Sequence, residues 1–239
     1  IYKKTGRRYK PFTYYGSSNA DRIIVAMGSM CQTIEETVDY LNRNDENVGL
    51  LKVHLFRPFS LKHFLCSIPD SVKQLTVLDR VKEIGSQAEP LYMDVKTAFY
   101  NIEDRPKIIG GRCGIGGKEV SPSMIYSVFE NMKNGDKAKD NFTLGIIDDV
   151  NGTSLDLNVE IDTIGNKLYQ AKFWGMGSDG TVGANKSAIK IIGEKAGKYC
   201  QGYFAYDSKK SGGVTISHLR FGNEPIKSTY LVQKPDFVA

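Results

Sequence analysis

Apolar and polar residues follow two periods in turn along this chain, about two and about 3.6, and the alternation predicts strands and helices in succession. The run RIIVAM at 22–27 is apolar without interruption, as in a strand buried on both faces. After Gly28 and Ser29, Met30, Ile34, Val38 and Leu41 form one stripe and Glu35, Glu36 and Asp39 the opposite one, the pattern of an amphipathic helix. A second strand at 49–56 ends where Arg57 meets Pro58, and a short helix is expected within 61–68. Strand 74–78, helix 90–101 and a strand beginning at 107–109 follow; Ser121 then caps, and Pro122 opens, a helix through Met132. This succession predicts the α/β class, a doubly wound, mainly parallel sheet with ligands gathering at the carboxyl ends of its strands.

The pattern also divides the chain. Residues 1–19 read as a basic extended lead, 20–133 as the first domain, and 134–166, rich in Gly, Asp, Asn and Thr, as an irregular connection. A partial second α/β domain is expected over 167–239. It holds strand 168–174, a glycine turn, helix 184–192, strands 201–206 and 213–221, and a last strand at 230–232, a sheet that looks unfinished.

Composition narrows the class. With 239 residues and 41% hydrophobic content the chain can bury a sizeable core. Lys and Arg number 32 against 27 Asp and Glu, a net charge of +5 without a basic block, so neither nucleic acid nor a membrane is expected as partner. Apolar runs are strand-sized and the first residues lack the centre of a signal peptide, which predicts an intracellular, cytoplasmic chain. Cys31, Cys66, Cys113 and Cys200 are too scattered for a metal or cluster motif and are expected to be reduced, buried thiols. No catalytic and no metal-binding residue is assigned.

The segment FWGMGSDGTVGANKSAIKII at 173–192 carries the most chemistry, because it joins a strand to a helix through a glycine-dense turn. Gly175, Gly177 and Gly180 stand at GxGxxG spacing, which brings backbone amides and the positive end of a helix toward an anion. The segment YDSKKSGG at 206–213 would set Lys209 or Lys210 beside the same anion, with Gly212 and Gly213 keeping the approach open. Asp179 would repel phosphate, so helix capping or acceptance of a ligand hydrogen bond suits it better; Ser178 and Thr181 suit phosphate or capping about equally. Asn185 and Lys186 lie a turn inside the helix and rank below Lys210.

Other candidates have plainer readings. The cluster 110–117, with Arg112, suits packing better than a second anion site. Asp148 and Asp149 read as a solvated turn, Arg57 as a pairing partner between domains, His54 and His218 as structural, and Trp174 as core rather than an adenine platform.

Several longer stretches go further. TGRRYKPFTYYG, LKVHLFRPFS, VLDRVKEIGS, IIGGRCGIGGKE, KFWGMGSDGTVGANKSAIKII and YFAYDSKKSGGVTISHLRFG span essentially the whole chain and resemble the pyruvate:ferredoxin (flavodoxin) oxidoreductase family. The resemblance implies a fragment: a second domain related to the C-terminal domain of transketolase, then the start of a third, gamma-type domain. It implies a parent converting pyruvate and coenzyme A to acetyl-coenzyme A and carbon dioxide, with electrons passed to ferredoxin or flavodoxin. Thiamine diphosphate, magnesium and [4Fe–4S] clusters would sit in domains absent here; the partners would be the remaining domains of the same enzyme and ferredoxin or flavodoxin, in a homodimer, located in the cytoplasm or, in an anaerobic protist, in a hydrogenosome-like organelle. Gly177, Ser178, Gly180, Thr181, Lys209 and Lys210 would contribute to a coenzyme A site, and the isolated chain would be inactive. Cys113 stands where the family usually has an aromatic residue, and Asn151 where it usually has Thr.

Two other readings stay open: a scaffold joining domains without ligand contact, and a free-standing nicotinamide-binding domain. Against the latter, no acidic residue ends a strand about twenty residues past the turn.

Overall fold

A computed structural model describes residues 1–148, 150–209 and 211–239. They form two compact units, 1–163 and 164–239.

In the first unit, β1 (Phe12–Gly16), β2 (Arg22–Met27), β3 (Val48–Val53), β4 (Gln74–Asp79), β5 (Lys107–Cys113) and β6 (Phe142–Leu144) make one sheet in the order β1-β3-β2-β4-β5-β6. All pairs are parallel except β1 with β3. Successive strand residues face opposite sides, so the apolar runs supply two cores at once. Ile24, Ala26, Leu50 and Ile109 pack with α2 (Met30–Arg43) and α5 (Pro122–Lys133). On the other side Ile23, Val25, Leu75 and Val77 pack with α3 (Leu61–Leu65) and α4 (Pro90–Ala98). The doubly wound architecture is as expected.

Two elements differ from expectation. The lead at 1–19 contains a helical turn, α1 (Tyr2–Thr5), and the edge strand β1, whose Phe12 is 1% exposed and meets Phe59 and Phe64 edge-on at 5.3 and 5.4 Å. Part of the stretch 134–166 enters the sheet as β6. Its Phe142 lies against Gly111, where any side chain would run into the ring. Asp140 holds the approach by accepting from the Gly110 amide and the Tyr92 hydroxyl, each at 2.7 Å.

The second unit holds β7 (Leu168–Met176), α6 (Thr181–Ala196), β8 (Tyr199–Tyr206), β9 (Val214–Gly222) and β10 (Phe237–Val238), with sheet order β10-β7-β9-β8. β9 runs antiparallel to both neighbours; only β10 is parallel to β7. Residues 230–232 are not a strand. The Tyr230 carbonyl accepts from Arg220 at 2.6 Å and the Val232 amide donates to His218 Nδ1 at 3.2 Å, so side chains hold this stretch across the sheet face.

Candidate functional site: the bend between β7 and α6

β7 delivers the chain into a bend at 177–180, and α6 begins at Thr181. Ser178 and Gly180 take left-handed backbone conformations, φ +76° and +89°. Gly175 has no room for a side chain: a Cβ there would lie 2.8 Å from Asp179 Oδ2 and from Thr181 Oγ1.

The bend is organised by Asp179. Its Oδ2 accepts from the Met176 amide at 2.7 Å and its Oδ1 from the Thr181 amide at 2.8 Å. The Thr181 amide and hydroxyl, and then the Met176 amide, hold this exposed carboxyl below the usual carboxylate range. Gly177 donates its amide to the Gly213 carbonyl at 2.6 Å, which brings the glycine bend and the loop at 207–213 together. Within that loop Asp207 accepts from the Ser208 hydroxyl at 3.1 Å and the Lys209 amide at 3.4 Å, and Gly212 is left-handed at φ +73°. Lys210 lies outside the described residues. Lys186 sits 5.4 Å over the Phe204 ring, and Asn185 is buried, 5% exposed.

The remaining candidates fall into structural places. Arg112 reaches Glu89 at 3.4 Å and the Asn141 carbonyl at 3.1 Å, and Ser121 accepts from the Met124 amide at 3.4 Å. Asp148 takes the amides of Val150 and Asn151 at 3.2 and 3.0 Å, while Asp149 lies outside the described residues. His54 is exposed beside Thr13 Oγ1 at 3.2 Å; His218 is 4% exposed, and burial, with Lys172 and Arg220 nearby, pushes it down to about 4.

Three expectations are corrected. Arg57 pairs inside its own unit, with Asp94 at 2.5 Å, because both stand at the carboxyl end of the sheet. Trp174 is 44% exposed, since strand alternation turns it away from α6, and Lys172 Nζ lies 4.8 Å over its ring. Cys31 and Cys113 are buried, with burial pushing each thiol up to about 12, but Cys66 is exposed and Cys200 half-buried.

Arg220 was not singled out by the sequence. It is 2% exposed and donates to Gln170 Oε1 at 3.1 Å and Gln201 Oε1 at 2.9 Å; inward glutamines on both flanking strands were the available signal. No group of three or more described His, Cys, Asp or Glu residues has the arrangement of a metal site, and no described helix is long and apolar enough to cross a membrane.

Residues 20–125 match the family model for pyruvate:ferredoxin oxidoreductase core domain II, and residues 170–239 match that for pyruvate ferredoxin/flavodoxin oxidoreductase. This chain belongs to the pyruvate:ferredoxin (flavodoxin) oxidoreductase family. The pyruvate-flavodoxin oxidoreductases of Enterobacter agglomerans and Klebsiella pneumoniae are 61% and 57% identical to this family member over 236 residues. The pyruvate:ferredoxin oxidoreductase of Moorella thermoacetica is 55% identical over 235. Each alignment takes in 98% of this chain, which spans about one fifth of the length of those relatives. A solved 2-oxoglutarate:ferredoxin oxidoreductase from Magnetococcus marinus matches 51% of this chain and 19% of its own at 18% identity and TM-score 0.36, a likeness that assigns no residue.

Proposed function

We propose that this segment works within a pyruvate:ferredoxin or flavodoxin oxidoreductase that converts pyruvate and coenzyme A to acetyl-coenzyme A and carbon dioxide, and that it supplies scaffold and part of the coenzyme A site. In this reading the first unit is a transketolase C-terminal-like module and the second the start of a gamma-type module. The observation that carries the reading is the Gly177–Gly213 hydrogen bond, which joins the bend holding Ser178 and Gly180 to the residue that ends the segment 207–213. Lys209 and Lys210 of that segment would supply ammonium groups, which suit the phosphates of an acyl carrier. Among the described residues no group of His, Cys, Asp or Glu has the arrangement of a metal site, and in this reading the rest of the polypeptide carries thiamine diphosphate, magnesium, the [4Fe–4S] clusters and electron transfer to ferredoxin or flavodoxin.

A scaffold without ligand contact is the second reading, favoured by the Asp179 carboxylate, which occupies amides that an anion would otherwise take. Calorimetric titration of coenzyme A into the full-length enzyme separates the two. Loss of a charge-assisted phosphate contact in Lys209→Ala or Lys210→Ala should weaken binding roughly ten- to hundredfold. Unchanged affinity in both variants would favour the scaffold.

A further inference from the structure

The net charge of +5 is not shared along the chain. Lys3, Lys4, Arg7, Arg8 and Lys10 stand in the first ten residues without one acid, and taking these five from the 32 Lys and Arg leaves 27 against 27 Asp and Glu, so the rest of the chain is neutral. All five are exposed, and among the described residues none of them has an ion-pair partner. The lead also has a fixed address. β1 runs antiparallel to β3 with Phe12 beside Val53, which puts the residues before Phe12 at the carboxyl end of the parallel strands. There the Pro11 carbonyl accepts from the amides of His54 and Leu55 at 2.8 and 3.2 Å.

Aliphatic side chains stand exposed at that same end. Leu55 and Leu61 follow β3, and Val81 and Ile84 follow β4, with Ile84 90% exposed. In the sheet β2 alone separates β3 from β4, so the two connections leave the sheet roughly 10 Å apart and share one surface. Aliphatic groups in water beside unpaired charge are the makings of a protein–protein surface.

We propose that the carboxyl end of the first unit is a docking face for a domain of the same enzyme that lies outside this chain, one whose surface is apolar at its centre and acidic where it meets residues 3–10. The chain spans about one fifth of the length of its relatives, so most of the polypeptide is available to cover it. A permanent contact suits the aliphatic groups better than a transient one, which would return them to water. Five cations without an acid call for carboxylates opposite. Single-stranded nucleic acid would ask for aromatic platforms where these side chains are aliphatic. A membrane would ask for one amphipathic helix, whereas cations and aliphatic groups here come from separate turns. None of this depends on the coenzyme A reading.

The test is labelling of the full-length enzyme, resolved by position with mass spectrometry: acetylation of Lys3, Lys4 and Lys10, and maleimide modification of Ile84→Cys, each against the urea-unfolded enzyme. The expected result is labelling at least about tenfold slower at all four positions in the folded enzyme. The lysines, but not position 84, should become several-fold more reactive in 1 M salt, where the screening length falls to about 3 Å. Labelling at the unfolded rate at position 84 or at the lysines would overturn the proposal. Lysine protection indifferent to salt would overturn the acidic partner. Protection that arises only when ferredoxin, flavodoxin, single-stranded DNA or anionic vesicles are added would overturn the choice of a domain of the same enzyme.

Discussion

The Gly177 amide donates to the Gly213 carbonyl across 2.6 Å, one step beyond the Met176–Val214 pair that ends the β7–β9 ladder. Strand pairing therefore continues into the bend and pins the loop at 207–213 to it. Two segments about thirty residues apart become one surface through the backbone alone.

Gly175 should be the least replaceable glycine of the bend. In Gly175→Ala the new Cβ would press on Asp179 Oδ2 and Thr181 at 2.8 Å, costing about 1–3 kcal/mol as the cap is displaced. Gly180→Ala meets open space, yet its φ of +89° should still cost about 1–2 kcal/mol. Denaturant midpoints of the full-length variants measure both, and a neutral Gly175→Ala would contradict the packing described.

Arg220 should be needed for the order of the segment beyond β9. Its guanidinium joins Gln170, Gln201 and the Tyr230 carbonyl, a span that one ammonium does not cover. Arg220→Met leaves those buried oxygens without a donor, a loss of roughly 3 kcal/mol or more. Limited proteolysis should then cut within 223–233, with Arg220→Lys rescuing little.

His218 and Asp79 should bend the pH dependence of stability in opposite directions. His218 is held down to about 4, first by burial and then by Lys172 and Arg220, so between pH 6.5 and 4 the unfolded chain binds a proton that the native state refuses. Stability therefore falls as pH falls through that window, by on the order of 3 kcal/mol. Asp79 is raised from 3.8 to about 6, mainly by burial, with Glu89 and Asp94 adding to it; its amide bonds from Leu91 and Tyr92 oppose the rise. It adds stability when protonated and loses that contribution as pH rises through about 6. Melting temperature against pH should flatten on the acid side in His218→Gln and steepen in Asp79→Asn.

β6 should be as necessary to the first unit as the longer strands. Phe142→Ala removes a ring with no exposed surface that fills the space over Gly111, and about 3–5 kcal/mol with it. Denaturation of the full-length variant with a fluorescent probe in this unit checks the loss.

The long apolar runs of β2, β3 and β4 and the stripe on α2 were legible because each holds one period over six or more residues. β1 and β6 were not, since five and three residues carry too little pattern and their positions are decided by Phe12 and Phe142 finding pockets made by distant elements. Leu231 and Val232 look like a strand, but Arg220 and His218 claim the neighbouring backbone groups first. The antiparallel character of the second sheet was available in the short loop at 207–213, which permits a hairpin. At the bend, the glycine spacing revealed the turn but not that Asp179 would fill its amides, because capping depends on the left-handed residues on either side.

Hydrogen exchange of the full-length enzyme with and without coenzyme A tests the central claim most directly. Peptides covering 175–182 and 206–214 should both exchange more slowly once the ligand is bound. Protection confined to other parts of the polypeptide, with these two segments unchanged, would contradict the account.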